Sequence, residues 1–329
     1  MSFAALELFA GAGGLALGGA RAGLAYRVLI ELNPGACRTL QLNAGLLGCS
    51  QILTQDVRMV DFAGLGPIDL VTGGPPCQPF SVGGKSLAHN DARDMFPAAV
   101  RVIAQTQPLG FVLENVKGLL RSSFAAYFDY ILLSLTYPEV TIKSGESWQD
   151  HRKRLMCLNA MDYGAGLTYQ VTWQLMNAAD YGVPQRRERV FIVGLRRDLG
   201  LSFSFPEPTH SQDALLWDQA PGGSYWQRHG LPPSKRPICA MSAPLVQELA
   251  LQPWRTVRDA LADLPEPDER DCLLFPGHVY QSGARCYPGH TGSVLDFPAK
   301  TIKAGAHGVP GGENMLDLGG GKYRYFTVR

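Results

Sequence analysis

Cys77 lies in the run Gly73-Gly74-Pro75-Pro76-Cys77-Gln78-Pro79-Phe80-Ser81, a setting in which a thiol can serve as a nucleophile. The residues before it, Ile68-Asp69-Leu70-Val71-Thr72, are mostly apolar and partly β-branched, the pattern of a short buried strand. Two glycines and three prolines then end regular structure and stiffen the loop, which places Cys77 at the carboxyl end of that strand. Ligands of open α/β sheets collect outside those ends. A lone cysteine is more often a small buried apolar residue; a rigid loop directly after a strand favours the nucleophile.

Three further groups of residues have chemistry to offer. Glu7-Leu8-Phe9-Ala10-Gly11-Ala12-Gly13-Gly14-Leu15 joins a strand-like segment to a helix-like one, and its glycines let backbone N–H groups approach a ligand. Glu31, about 20 positions on at the end of the next strand, suits ribose hydroxyls. Asp56, ending the third, can accept from an adenine amino group. The same residues also fit a packing turn followed by two surface acids. Glu114-Asn115-Val116 closes another buried strand, where desolvation disfavours the charged carboxylate and suits a proton donor; a capping or salt-bridged glutamate fits equally. In Asp180-Tyr181-Gly182-Val183-Pro184-Gln185-Arg186-Arg187-Glu188-Arg189-Val190, alternation along a strand puts Arg187 and Arg189 on one face, suited to phosphate or a base carbonyl, or to a surface ladder through Glu188.

These groups need a scaffold. Segments 3–9, 26–30, 51–54, 68–72 and 111–113 read as strands, separated by helices near 15–22, 36–43 and 95–105. A helix at 124–135 and strands at 169–175 and 189–195 follow. The alternation predicts an α/β fold with a doubly wound, mostly parallel sheet. After residue 197 prolines recur and periodicity fades, apart from a helix near 255–264, which predicts a smaller loop-rich domain. The expected domains are thus 1–197, 198–322 and a short segment 323–329.

The 329 residues are 46% hydrophobic and 18% charged with a net charge of +1, values that fit a packed globular protein and give no global basic signature. Between His151 and Arg197 eight Lys/Arg face three acids, a local excess of five that can form one wall of a polyanion groove. Seven cysteines without a C-x-x-C pair or a Cys/His cluster predict a reducing, cytoplasmic setting and no metal site. No apolar run reaches membrane-spanning length, and Met1-Ser2-Phe3 leads into a strand without signal-peptide features.

Taken in order, Phe9-Ala10-Gly11-Ala12-Gly13-Gly14, Gly74-Pro75-Pro76-Cys77-Gln78-Pro79-Phe80-Ser81, Glu114-Asn115-Val116 and Gln185-Arg186-Arg187-Glu188-Arg189 resemble the ordered motifs of the DNA (cytosine-5)-methyltransferase family. The resemblance covers residues 3–197 and returns at Arg324-Tyr325-Phe326-Thr327-Val328-Arg329. It implies a Rossmann-like methyltransferase of a prokaryotic restriction–modification or related system. S-adenosylmethionine would be the cofactor and double-stranded DNA the partner, with a flipped-out cytosine methylated at C5. Cys77 would then be the thiolate that adds to C6, Glu114 the group at N3 and the exocyclic amine, and Arg189 the ligand of O2, supported by Arg187. Phe9, Ala10, Gly11 and Gly13 would surround the cofactor, Glu31 would hold its ribose and Asp56 its adenine amine. Pro76 would lie near the sulfonium, and Met95 stands where the family usually has leucine. Residues 198–322 correspond to the target-recognition region.

Two departures carry expectations of their own. Residues 137–168, with Trp148 and His151-Arg152-Lys153-Arg154, form a longer connection than compact members show and are expected on the DNA side. The sequence stops at Arg329, before the last family motif, so a second polypeptide supplying it, or a truncated non-catalytic DNA-binding subunit, is an expected alternative. A tRNA methyltransferase of the same lineage is the other. Its Cys-Phe-Thr segment is absent, as is a nucleophilic cysteine near Glu114.

Overall fold

The computed structural model describes residues 2–76, 94–164, 166–236, 250–267, 274–287, 291–302 and 314–329. Cys77 lies outside the described residues. Two compact units emerge: Met1–Leu175 with Arg189–Phe205, and Met176–Glu188 with Pro206–Arg329.

The first unit is built on β1 (Ala4–Leu8), α1 (Gly14–Arg21), β2 (Ala25–Glu31), α2 (Pro34–Leu42), β3 (Cys49–Thr54), β4 (Leu70–Gly73), α3 (Phe96–Thr106), β5 (Gly110–Val116), α4 (Ala125–Thr136) and α5 (Trp148–Ala160). β6 (Tyr169–Asn177) and β7 (Glu188–Arg196) complete a seven-stranded sheet of order β3-β2-β1-β4-β5-β7-β6. The β2–β3, β1–β2, β1–β4 and β4–β5 pairs are parallel, and β5–β7 is antiparallel. The predicted doubly wound, mostly parallel α/β fold is therefore the one adopted. Its strand order reverses between β1 and β4, and at such a switch point the crevice outside the carboxyl ends is open to a ligand.

Alternation along β1 divides the core. Leu6 and Leu8 join the larger cluster, with Val71, Phe111 and the buried faces of α3 and α4. Ala5 points to the smaller cluster with Ala16, Tyr26, Leu29 and Leu40. Gly73 lets β4 lie close to β1, since a Cβ there would stand 2.8 Å from the Leu8 carbonyl oxygen.

The 137–168 connection contains a helix that the sequence reading leaves unassigned. α5 packs on α4 through Leu155, Leu133 and Tyr137, and Trp148 at its start meets Tyr127 and Tyr130. Its cations are engaged within the unit: Arg152 by Asp129 at 2.6 Å, Lys153 by Asp150 at 2.9 Å and Arg154 by Glu146 at 2.7 Å. Arg196 and Arg197 likewise meet Asp198 and Asp162. The local charge excess counted in the sequence is thus largely neutralised by acids brought in from both sides of the stretch.

In the second unit β8 (His210–Ser211) pairs with β9 (Gln252–Pro253), flanked by α6 (Gln212–Gln219), α7 (Tyr225–Arg228) and α8 (Val257–Leu261). Ala179, Leu215, Tyr225, Trp226 and Trp254 form its main core. β10 (Ser293–Val294), β11 (Met315–Asp317) and β12 (Tyr323–Tyr325) make a three-stranded sheet. No helix among the described residues is long and apolar enough to cross a membrane.

Candidate active site

The turn after β1 is held in an unusual backbone conformation. Phe9 has φ 56° and Gly11 φ 54°. A left-handed conformation costs a non-glycine residue about 1–2 kcal/mol, and such strain clusters at ligand sites. Phe9 is anchored by packing against the larger core cluster. Ala10 N–H donates to the Ile30 carbonyl at 3.0 Å, and Gly11 N–H donates to Glu31 Oε2 at 2.8 Å. Asn33 N–H donates to Glu31 Oε1 at 2.7 Å. Glu31 therefore ties the glycine turn to the β2–α2 junction. Gly11 faces open space, with nothing within 4 Å of where its Cβ would be, and Gly13 caps α1.

Beneath the turn lies a polar cluster with no role in the sequence reading. Glu7 is 1% exposed. Its Oε2 accepts from the Thr72 hydroxyl at 2.9 Å, and its Oε1 accepts from Ala16 N–H of α1 at 3.2 Å. Tyr26 OH lies 3.4 Å from Thr72 Oγ1. Burial pushes the Glu7 carboxyl up to about 7 against the lowering effect of these bonds. Its sequence signal was an acid between two leucines in a buried strand, which must find partners.

Asp56 ends the segment after β3, but its carboxylate is already engaged. Arg58 N–H and Nε donate to Oδ1 at 2.9 and 3.0 Å, and Nε and Nη2 donate to Oδ2 at 3.1 and 2.6 Å. The Arg58 guanidinium holds the Asp56 carboxyl below the usual carboxylate range. Arg101 of α3 fixes the same turn, donating to the Arg58 and Val57 carbonyls at 3.1 and 2.9 Å.

On the other side of β4, Glu114 and Arg189 form an ion pair, Oε1 to Nε at 2.7 Å, with side chains 26% and 17% exposed. The antiparallel register pairs Val116 with Arg189 and Glu114 with Phe191, so the two charged residues are diagonal neighbours on one sheet face. Glu114 Oε2 faces Gly74, where an added Cβ would lie 3.4 Å away. Asn115, 3% exposed, donates from Nδ2 to the Pro75 carbonyl at 3.0 Å and accepts Val116 N–H at 2.8 Å. It thereby fastens the loop leading to Cys77 onto β5, a role that its place in the Glu114-Asn115-Val116 motif does not by itself disclose. Pro76 is exposed at the last described position of that loop. Met95 packs against the larger core at the start of α3.

Arg187 lies just before the strand that carries Arg189. β7 begins at Glu188, and Arg187 precedes it in the second unit, its N–H donating to Asn177 Oδ1 at 3.1 Å and its carbonyl accepting Ala178 N–H at 3.0 Å. The structure thus brings Gly11 together with Glu31, and Glu114 with Arg189 and the start of the Cys77 loop.

The sheet order and the crevice at its switch point define an α/β protein of the Rossmann-like class. The chain belongs to the C-5 cytosine-specific DNA methylase family, whose profile matches residues 3–139 and 146–228. Type II methyltransferase M.NgoMIV of Neisseria gonorrhoeae is 39% identical over 212 residues, 64% of this chain and 58% of that protein. Type II methyltransferase M.AquIA of a Picosynechococcus species is 36% identical over 267 residues, 79% of this chain and 88% of that protein. Type II methyltransferase M.NaeI of Lentzea aerocolonigenes is 36% identical over 213 residues, 63% of this chain and 43% of that protein. The chain therefore spans less than two thirds of the first and third of these relatives.

Proposed function

We propose that the protein methylates C5 of cytosine in double-stranded DNA with S-adenosylmethionine as cofactor. The observation that carries this reading, beyond family membership, is the Glu114–Arg189 pair standing beside the loop that leads to Cys77.

The crevice residues fit the cofactor. Gly11 offers an open backbone face, and each oxygen of Glu31 accepts one backbone N–H, leaving capacity for ribose hydroxyls. Phe9, Ala10 and Gly13 complete that turn, and Pro76 and Met95 would border the cofactor. Asp56 fits the adenine amine only if it shares or exchanges the Arg58 donors. When bound, S-adenosylmethionine supplies an electrophilic methyl group.

Cytosine C5 is a weak nucleophile. The Cys77 thiolate adds to C6, while Glu114 delivers a proton at N3 and Arg189, with Arg187 in support, holds O2. Electron density then rises at C5, where the methyl group is received. A water acting as base takes the C5 proton, β-elimination expels the Cys77 thiolate, and N3 returns its proton to Glu114. Because C6 is closed off inside a duplex, the base must leave the stack, at a cost of a few kcal/mol, on the order of one base-pair opening. Residues 1–197 would carry this chemistry and 198–322 the choice of sequence.

The test is transfer of a labelled methyl group to mixed-sequence duplex DNA by the wild-type chain and by Cys77→Ser. Label at cytosine C5 that depends on Cys77 supports the reading; label on tRNA alone, or none on DNA, counts against it.

A further inference from the structure

The second unit contains a cavity of about 480 Å³ that the proposed chemistry does not use. Glu266, Tyr280, Gly321, Lys322, Tyr323 and Arg324 contribute to its walls. Arg324, on β12, is 8% exposed. Its Nε is closed off from solvent and has no hydrogen-bond partner among the described residues. The anion beside it is Glu266, whose Oε2 stands 3.4 Å from Nε and whose side chain is 82% exposed. Buried guanidinium groups are ordinarily bonded by several acceptors, because an underbonded buried charge is costly. Here, among the described residues, a single carboxylate, mostly in water and too poorly placed to hydrogen-bond Nε, stands where an acceptor is required.

We propose that this cavity binds a phosphate group. The planar fork of Arg324 matches two phosphate oxygens, a geometry in which Arg surpasses Lys. Lys322, exposed at the tip of the β11–β12 hairpin, adds a second cation at the rim. Glu266 yields its place to the ligand by moving into solvent, so two cations then face one phosphate. Tyr280, 51% exposed, offers a phenolic donor at the same opening. In the proposed function the phosphate belongs to the DNA backbone, and to that extent the inference rests on that reading; a free phosphate presents the same chemistry.

The experiment uses the full chain with Lys322→Gln and Arg324→Lys. Binding of a labelled mixed-sequence duplex is followed at several salt concentrations, and binding of inorganic phosphate is followed by calorimetry. If the ligand is a backbone phosphate, Lys322→Gln weakens the duplex complex several-fold and lowers the slope of log K against log salt by about one. Arg324→Lys keeps the slope but weakens binding, because an ammonium lacks the fork. If the ligand is a free phosphate, calorimetric binding of inorganic phosphate is lost in Lys322→Gln while duplex affinity stays unchanged, and the site still stands. Wild-type phosphate binding that depends on Lys322, in a protein without methyl transfer, upholds the cavity and counts against the proposed function alone. Unchanged duplex and phosphate binding in Lys322→Gln overturns the inference, and this exposed substitution remains decisive if Arg324→Lys fails to fold.

Discussion

Glu114 and Arg189 meet at 2.7 Å because the β5–β7 register sets Arg189 opposite Val116, two residues along from Glu114. Arg189 holds one carboxylate oxygen of Glu114, and the other faces the backbone at the head of the Cys77 loop. Glu114→Gln keeps the shape and removes the acid. It is expected to slow single-turnover methyl transfer by about a hundredfold or more, with cofactor affinity unchanged. A rate within a few-fold of wild type would remove Glu114 from proton delivery.

Glu7 predicts a pH dependence of stability with a definite sign. Its carboxyl is raised from 4.5 to about 7 by burial. The folded state therefore binds the proton more tightly than the unfolded state. The resulting stabilisation is complete below about 4.5, is lost as pH rises toward about 7, and is absent above that. The loss is roughly 3 kcal/mol, since each tenfold difference in proton affinity between the two states is worth about 1.4 kcal/mol. Glu7→Gln can accept from Ala16 N–H and donate to Thr72, mimicking the protonated acid. Urea unfolding of both proteins from pH 5 to pH 8, on the order of the window these values set, should show the mutant gaining on wild type as pH rises. A constant difference between them would contradict the assignment.

Arg58 competes for the carboxylate expected to meet the adenine amine. Calorimetry should find that Arg58→Ala binds S-adenosylmethionine several-fold more tightly, since no guanidinium must move. Asp56→Asn should bind it roughly tenfold more weakly, the worth of one hydrogen bond to a charged group. Weaker binding by Arg58→Ala would instead make that arginine part of the adenine site.

Asn115 is expected to act on both stability and rate. Asn115→Ala leaves the Pro75 carbonyl and Val116 N–H without their side-chain partner and should cost about 1–3 kcal/mol. It should also slow methyl transfer in protein that remains folded, because the Cys77 loop loses its tie to β5. Wild-type turnover in a destabilised but folded variant would confine Asn115 to stability.

The sheet was legible because turn-forming glycines end or follow strands, as at Gly11 and Gly73, and because short, mostly apolar runs precede them. α5 was not. It buries only His151 and Leu155, and residues 149–154 are all polar, so its apolar face is too narrow to give a helical period. Glu31 and Glu114 were legible as acids at strand ends. Their partners, Gly11 N–H and Arg189, depend on pairings between distant segments, and Glu114 proved to be the salt-bridged glutamate that the residues alone left open. The Arg58 clasp on Asp56 spans only two positions, yet it depends on a side-chain conformation that no periodicity encodes.

The most direct test of the central claim is a mass measurement on the protein incubated with S-adenosylmethionine and a duplex carrying 5-fluorocytosine. Fluorine at C5 leaves no proton to remove, so β-elimination stops and the Cys77–C6 bond persists. A covalent protein–DNA adduct that maps to Cys77 and vanishes in Cys77→Ser is the predicted result. Methyl transfer by Cys77→Ser at the wild-type rate, or an adduct at another residue, would contradict it.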